Sequence, residues 1–139
     1  MALDFYVNYW AVIIAAVVSF FVSWIWYGPL FGNMWMRLSG YTKKNMTKDQ
    51  KKGMGGKMVT ALIAQLAMAF VVAVLISSIG ISEITDVIFF AFLLWLGLIA
   101  SIMIGSVLWD GKPMALFWLN SVHWLVIIEI MALIVSSWR

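Results

Sequence analysis

Long apolar runs separated by short polar stretches are the dominant pattern along this chain. Tyr6 to Tyr27, Met58 to Ile79, Val87 to Trp109 and Met114 to Trp138 are the four runs. Each has about the twenty residues that an α-helix needs to cross roughly 30 Å of hydrocarbon. None alternates with period two, and in hydrocarbon every backbone amide must find its partner inside its own segment. The pattern therefore predicts helices and excludes a barrel. The expected fold is all-α, an integral membrane four-helix bundle in one domain over residues 1–139, with spans near 6–27, 58–79, 87–109 and 114–138.

Composition agrees. Hydrophobic residues make up 65% of the chain and charged residues 11%, against about 25% charged in an ordinary soluble domain; mean hydropathy is +1.02. The surplus has to face lipid, so the lipid bilayer is the first expected partner. Charge then sets orientation. Arg37, Lys43, Lys44, Lys48, Lys51, Lys52 and Lys57 lie in the loop 28–57 and Lys112 lies on the same side, whereas Arg139 alone lies opposite. By the positive-inside rule the basic loop is cytoplasmic and both ends are outside, N-out/C-out, together with Asp4 and the turn from Glu83 to Asp86. Tyr6, Tyr9, Trp10, Trp24, Trp26, Tyr27, Trp35, Trp109 and Trp138 fall near span ends and read as interface anchors. The first run has no basic leading segment and no small-residue cleavage pattern, so it reads as a retained helix rather than a signal peptide.

Gly28-Pro29 predicts the end of the first helix, because proline disfavours helical geometry in the residue before it. Leu30, Phe31, Met34, Trp35 and Leu38 then recur at helical spacing beside Arg37, which predicts a short amphipathic helix on the inner surface. Tyr41 to Gly56 reads as a mobile lysine-rich loop. Its lysines serve either as the topology signal or as contacts to anionic lipid headgroups. Beyond charge, nothing points to nucleic acid.

Without cysteine, disulfides, thiolate metal sites and cysteine nucleophiles are excluded. No serine sits in a Gly-x-Ser-x-Gly elbow, and Gly53-Met54-Gly55-Gly56-Lys57 lacks the spacing and the preceding strand of a phosphate loop. A protein that is not an enzyme, with no metal and no resident cofactor, is the expectation.

Small residues at every fourth position form stripes on single helix faces: Ala11, Ala15, Ser19 and Ser23; Ala61, Ala69, Ala73 and Ser77; Gly97, Ser101 and Gly105. Lack of bulk lets backbones approach, so these are the expected helix contacts, some of them within an oligomer. Gln65 continues the second stripe and is expected to hydrogen-bond another helix or to touch a ligand. Asn120, His123 and Glu129 lie deep in the fourth run. Asn120 and His123 share a face, while Glu129 sits about 120° away round the helix, so the three do not form one site by spacing. For His123 the alternatives are a neutral ring bonded across the bundle or a haem ligand completed by a dimer partner. Glu129 is expected to be protonated, paired or facing water, either as a structural carboxylic acid or as a proton or cation site.

Trp26-Tyr27-Gly28-Pro29-Leu30-Phe31-Gly32, followed by Trp35-Met36-Arg37-Leu38 and Gly40, resembles the signature of the membrane family known as domain of unknown function 1761. Leu94-Trp95-Leu96-Gly97 and the turn Gly111-Lys112-Pro113 are similar to later parts of its pattern. The resemblance implies a four-span prokaryotic membrane protein, hence the inner membrane, without an assigned activity. Together these observations favour a non-enzymatic homo-oligomer, a dimer first, acting in transport, as a channel-like assembly, or as an accessory to a larger membrane protein. The alternative is a small-molecule or lipid-binding protein with a haem or quinone site. Transport predicts that Glu129, Gln65 and His123 line one polar path; an accessory role predicts a dry core.

Overall fold

Apolar helices gain nothing from hiding apolar surface when lipid is as apolar as they are, so close contact between backbones and a few internal hydrogen bonds decide how they pack. A computed structural model describes residues 6–40 and 53–138 of the chain. The lysines at 43, 44, 48, 51 and 52, with Asp4, Arg139 and the 41–52 part of the expected mobile loop, lie outside the described residues. Among those described, every regular element is helical.

Helix α1 spans Tyr9–Ile25 and opens on Asn8, whose side chain accepts from the amides of Trp10 and Ala11. Its axis continues through a wider π-type turn over Trp26–Leu30. Helix α2 is Gly32–Ser39 and α3 is Met54–Ile79. Helix α4 begins as Ile84–Leu94, widens over Trp95–Ala100, and ends in the short turns Ser101–Met103 and Gly105–Leu108. Helix α5 is Met114–Ser137. Among the described residues four helices are long and apolar enough to cross a membrane: Tyr9–Leu30, Met54–Ile79, Ile84–Leu108 and Met114–Ser137.

The helices form a triangle with an appendage. α1, α3 and α5 pack on one another, and α4 lies chiefly on the remaining face of α5. Alanines fill the crossings: Ala11, Ala15 and Ala16 from α1, Ala69 and Ala73 from α3, Ala132 from α5, with Ile76, Ile127 and Met131 between them. On the outer flank, apolar grooves separate α3 from α4, one of about 320 Å³ between Met68, Val72, Leu94 and Ile128. The start of α1 meets the ends of α3 and α5, where the Tyr6 amide donates to Ser77 Oγ at 2.9 Å.

Several expectations need correction. The first helix does not stop at Gly28-Pro29. The widened turn takes Pro29 in, because with the Phe31 amide bonded to the Trp26 carbonyl at 2.9 Å the ladder passes over the proline's missing N–H. The bend into α2 follows, and it requires Gly32: a Cβ there would stand 2.7 Å from the Tyr27 carbonyl oxygen. At the other side of the loop α3 starts four residues before the expected Met58, so Gly55, Gly56 and Lys57 are helical. Continuing the helix keeps peptide groups satisfied near the bilayer, which outweighs the helical cost of glycine at the first turn.

Within the chain, α4 packs through a face other than its small-residue stripe. Its buried face runs Val87, Ala91, Trp95, Ala100, and the last step is five residues because the widened turn inserts one. Gly97 and Ser101 consequently face outward, and a Cβ on Gly97 would meet nothing within 4 Å; Gly105 is only partly covered, beside Trp109. On α3, Ala61 is exposed as well. It lies one turn before Gln65, which is buried.

Candidate functional site

Three of the four polar residues expected inside the hydrocarbon meet at one place, and serine and tyrosine from α1 connect them. Gln65 on α3 donates through Nε2 to Ser23 Oγ at 3.0 Å, and Ser23 Oγ lies 2.7 Å from His123 Nε2 on α5. Three helices are joined by this chain. One step nearer the loop-bearing end, Tyr27 Oη donates to Asn120 Oδ1 at 2.7 Å. Asn120 and His123 are three residues apart on α5 and so face α1 together. Ser23 and Tyr27 are four apart on α1 and face them in turn.

Aromatic rings enclose the histidine. The centroids of Tyr27 and Trp124 lie 4.8 Å from that of His123, and Trp26 lies at 5.9 Å. Tyr27 continues the four-residue spacing of Ala15, Ser19 and Ser23, and Trp26 lies beside it at the start of the widened turn. These two residues and Trp35, which packs edge-on to Tyr27 at 6.3 Å, are partly covered by other side chains. Trp10, Trp24, Trp109 and Trp138 are exposed.

Ser23 Oγ accepts from Gln65 and shares a second hydrogen bond with His123 Nε2, its oxygen having lone pairs for two donors and a proton of its own to give. Nδ1, Gln65 Oε1 and Trp26 Nε1 are buried without a hydrogen-bond partner. His123 is 2% exposed and Gln65 4%.

Beside this chain lies a cavity of about 470 Å³, lined by Tyr27, Gly28, Gly32, Asn33, Trp35, Met36 and Met54. Tyr27 belongs to both. Its ring forms cavity wall, while its hydroxyl holds Asn120 and its face packs on His123.

Glu129 is elsewhere. It is half-buried on the opposite flank of α5, in a separate groove facing α4, and its Oε2 has no hydrogen-bond partner. Gln65, His123 and Glu129 do not line one path within the protomer. Among the described residues no three His, Cys, Asp or Glu side chains cluster in a way that could hold a metal ion.

Sequence spacing missed three contributors: Tyr27 and Ser23, read as an anchor and as a small packing residue, and Trp95. The Trp95 indole donates from Nε1 to the Ser121 carbonyl of α5 at 2.6 Å, pinning α4 to the triangle. The signal for Trp95 was available, since a tryptophan in the middle of a span is not at an interface.

Four membrane-length helices around a buried polar chain define a multi-pass α-helical membrane protein. The chain matches the model of the family described as protein of unknown function (DUF1761) over residues 10–136, and it belongs to that family. No curated protein and no solved structure matches it.

Proposed function

We propose that this chain is a non-enzymatic protein of the prokaryotic inner membrane that binds a small amphipathic molecule at the loop-bearing end of its helices. That end faces the cytoplasm, and the working form is a homodimer. The cavity beside Tyr27 carries the reading. Its volume of about 470 Å³ lies within the roughly 300–1,000 Å³ of small-ligand sites. Tyr27 and Trp35 offer ring faces, Asn33 offers a polar group, and Met36 and Met54 are deformable apolar walls. Such a lining suits a flat head that accepts hydrogen bonds and carries an apolar tail, as in a quinone.

Haem fits less well. The Nε2 of His123 is engaged with Ser23, and three aromatic rings pack against the imidazole, leaving no open face for a macrocycle. The separation of His123 from Glu129 speaks against acid/base catalysis, which needs both groups within reach of one substrate. A dimer is favoured by the exposed Gly97 and Ser101, which leave a flat strip on α4 for close approach of a second copy. A transport or channel-like role would need that second copy, because the path through Gln65, His123 and Glu129 is not continuous in one.

Titration of the protein in mild detergent with a short-chain quinone, followed by tryptophan fluorescence and native mass, tests the proposal. Saturable quenching is expected, weakened at least about tenfold by Met36→Trp, which fills the cavity, together with a dimeric mass. Quenching that is non-saturable, or equal in both proteins, rejects the site; a monomeric mass rejects the dimer.

A further inference from the structure

The groove holding Glu129 is separate from the cavity at Tyr27 and is built differently. It measures about 550 Å³ and lies between α4 and α5, lined by Thr85, Ile88, Phe89 and Phe92 from one helix and Leu125, Glu129 and Leu133 from the other. Phe89 and Ile88 are exposed at its rim, so it opens sideways from the helices into the surrounding hydrocarbon. Apart from Thr85 and Glu129 its lining is wholly apolar.

A carboxyl group in such a place has no partner of its own. Oε2 is buried without a hydrogen bond. The cations among the described residues, Arg37, Lys57 and Lys112, sit at the loop-bearing end, and Glu129 lies fifteen residues along α5 from Met114, about 22 Å at 1.5 Å per residue. No lysine or arginine occurs in the described part of any span beyond Lys57 in the first turn of α3, and the one histidine, His123, is buried against Ser23 on another face of α5. The described spans of a second copy would therefore bring apolar surface to the groove but no lysine or arginine at this depth. What the groove lacks is a positive charge soluble in lipid, and what it offers such a charge is a carboxyl group, which a bound cation would hold ionised, with Phe89 and Phe92 beside it.

We infer that the α4–α5 groove, with Glu129 at its floor and Phe89 and Phe92 on its wall, is a binding site for a lipophilic organic cation that reaches it from the bilayer. Ionic attraction in a low dielectric supplies selectivity for positive charge, and the aromatic and aliphatic walls supply the affinity for bulk. The site is independent of the cavity at Tyr27, and either can fail without the other.

Equilibrium dialysis of the full chain in mild detergent with radiolabelled tetraphenylphosphonium tests this, with tetraphenylborate as the anion of the same shape. Saturable binding of the phosphonium and none of the borate is expected. Glu129→Gln, which keeps the side chain's shape, should weaken phosphonium binding at least about tenfold, while Met36→Trp leaves it unchanged. Ile88→Trp fills the groove from its exposed rim without touching the carboxyl group, and it should abolish binding even if Glu129→Gln fails to fold. Equal uptake of the two ions, or phosphonium binding indifferent to both substitutions, overturns the proposal. So does a wild type that binds no phosphonium but changes native mass on Glu129→Gln, an outcome that gives the groove to a second copy.

Discussion

Ser23 bonds two different helices at once, so removing its hydroxyl strands two buried groups, Gln65 Nε2 and His123 Nε2. Interhelical hydrogen bonds inside membranes are each worth about 0.6 kcal/mol. Ser23→Ala should therefore cost about 1 kcal/mol or more in detergent unfolding, and Tyr27→Phe, which breaks the single bond to Asn120, about half of that. A Ser23→Ala protein as stable as wild type would mean that the chain of bonds holds nothing. Glu129→Gln should be close to neutral in the same assay, since no bond to Oε2 is lost. At this scale much was legible in the sequence. A glutamine in line with Ala69 and Ala73 had to face other helices, and the 120° offset of Glu129 from His123 already separated their sites. Tyr27 and Ser23 were not legible, because their partners lie 93 and 100 positions away in the chain and nothing local marks them.

The two widened turns account for what spacing alone got wrong. A period of four assumes an unbroken α-helix, and one inserted residue turns everything beyond it by about 100°. After α1 the widened turn admits Pro29. In α4 it moves the buried face from a four-step to a five-step at Ala100 and leaves Gly97 and Ser101 outside. Proline hints at the first insertion, whereas Trp95-Leu96-Gly97-Leu98 carries no such mark. The second turn begins at Trp95, whose indole reaches the Ser121 carbonyl. Trp95→Phe keeps the ring and loses the donor, so it should lower stability by about 1 kcal/mol with helicity by circular dichroism unchanged. A larger loss accompanied by reduced helicity would place the role of Trp95 in the turn itself.

Over the whole molecule, four spans put both chain ends on one side, and the proposed orientation rests on Arg37, Lys57, Lys112 and the lysines of the loop. Because the chain has no cysteine, single introduced thiols report sidedness without background. In intact cells Ser82→Cys, exposed between α3 and α4, should react with a membrane-impermeant maleimide, and Asn33→Cys, exposed on α2, only after the membrane is opened; the reverse labelling inverts the topology. One polar chain through Gln65, Ser23 and His123 ties three helices together beside the cavity at Tyr27. His123 is the sole histidine, so ¹⁵N-histidine NMR of the detergent-solubilised protein gives a single imidazole whose tautomer and partner can be read directly. The structure predicts an Nε2 hydrogen-bonded to Ser23, whose signal Ser23→Ala displaces while Nδ1 is little changed. A spectrum untouched by Ser23→Ala would contradict it.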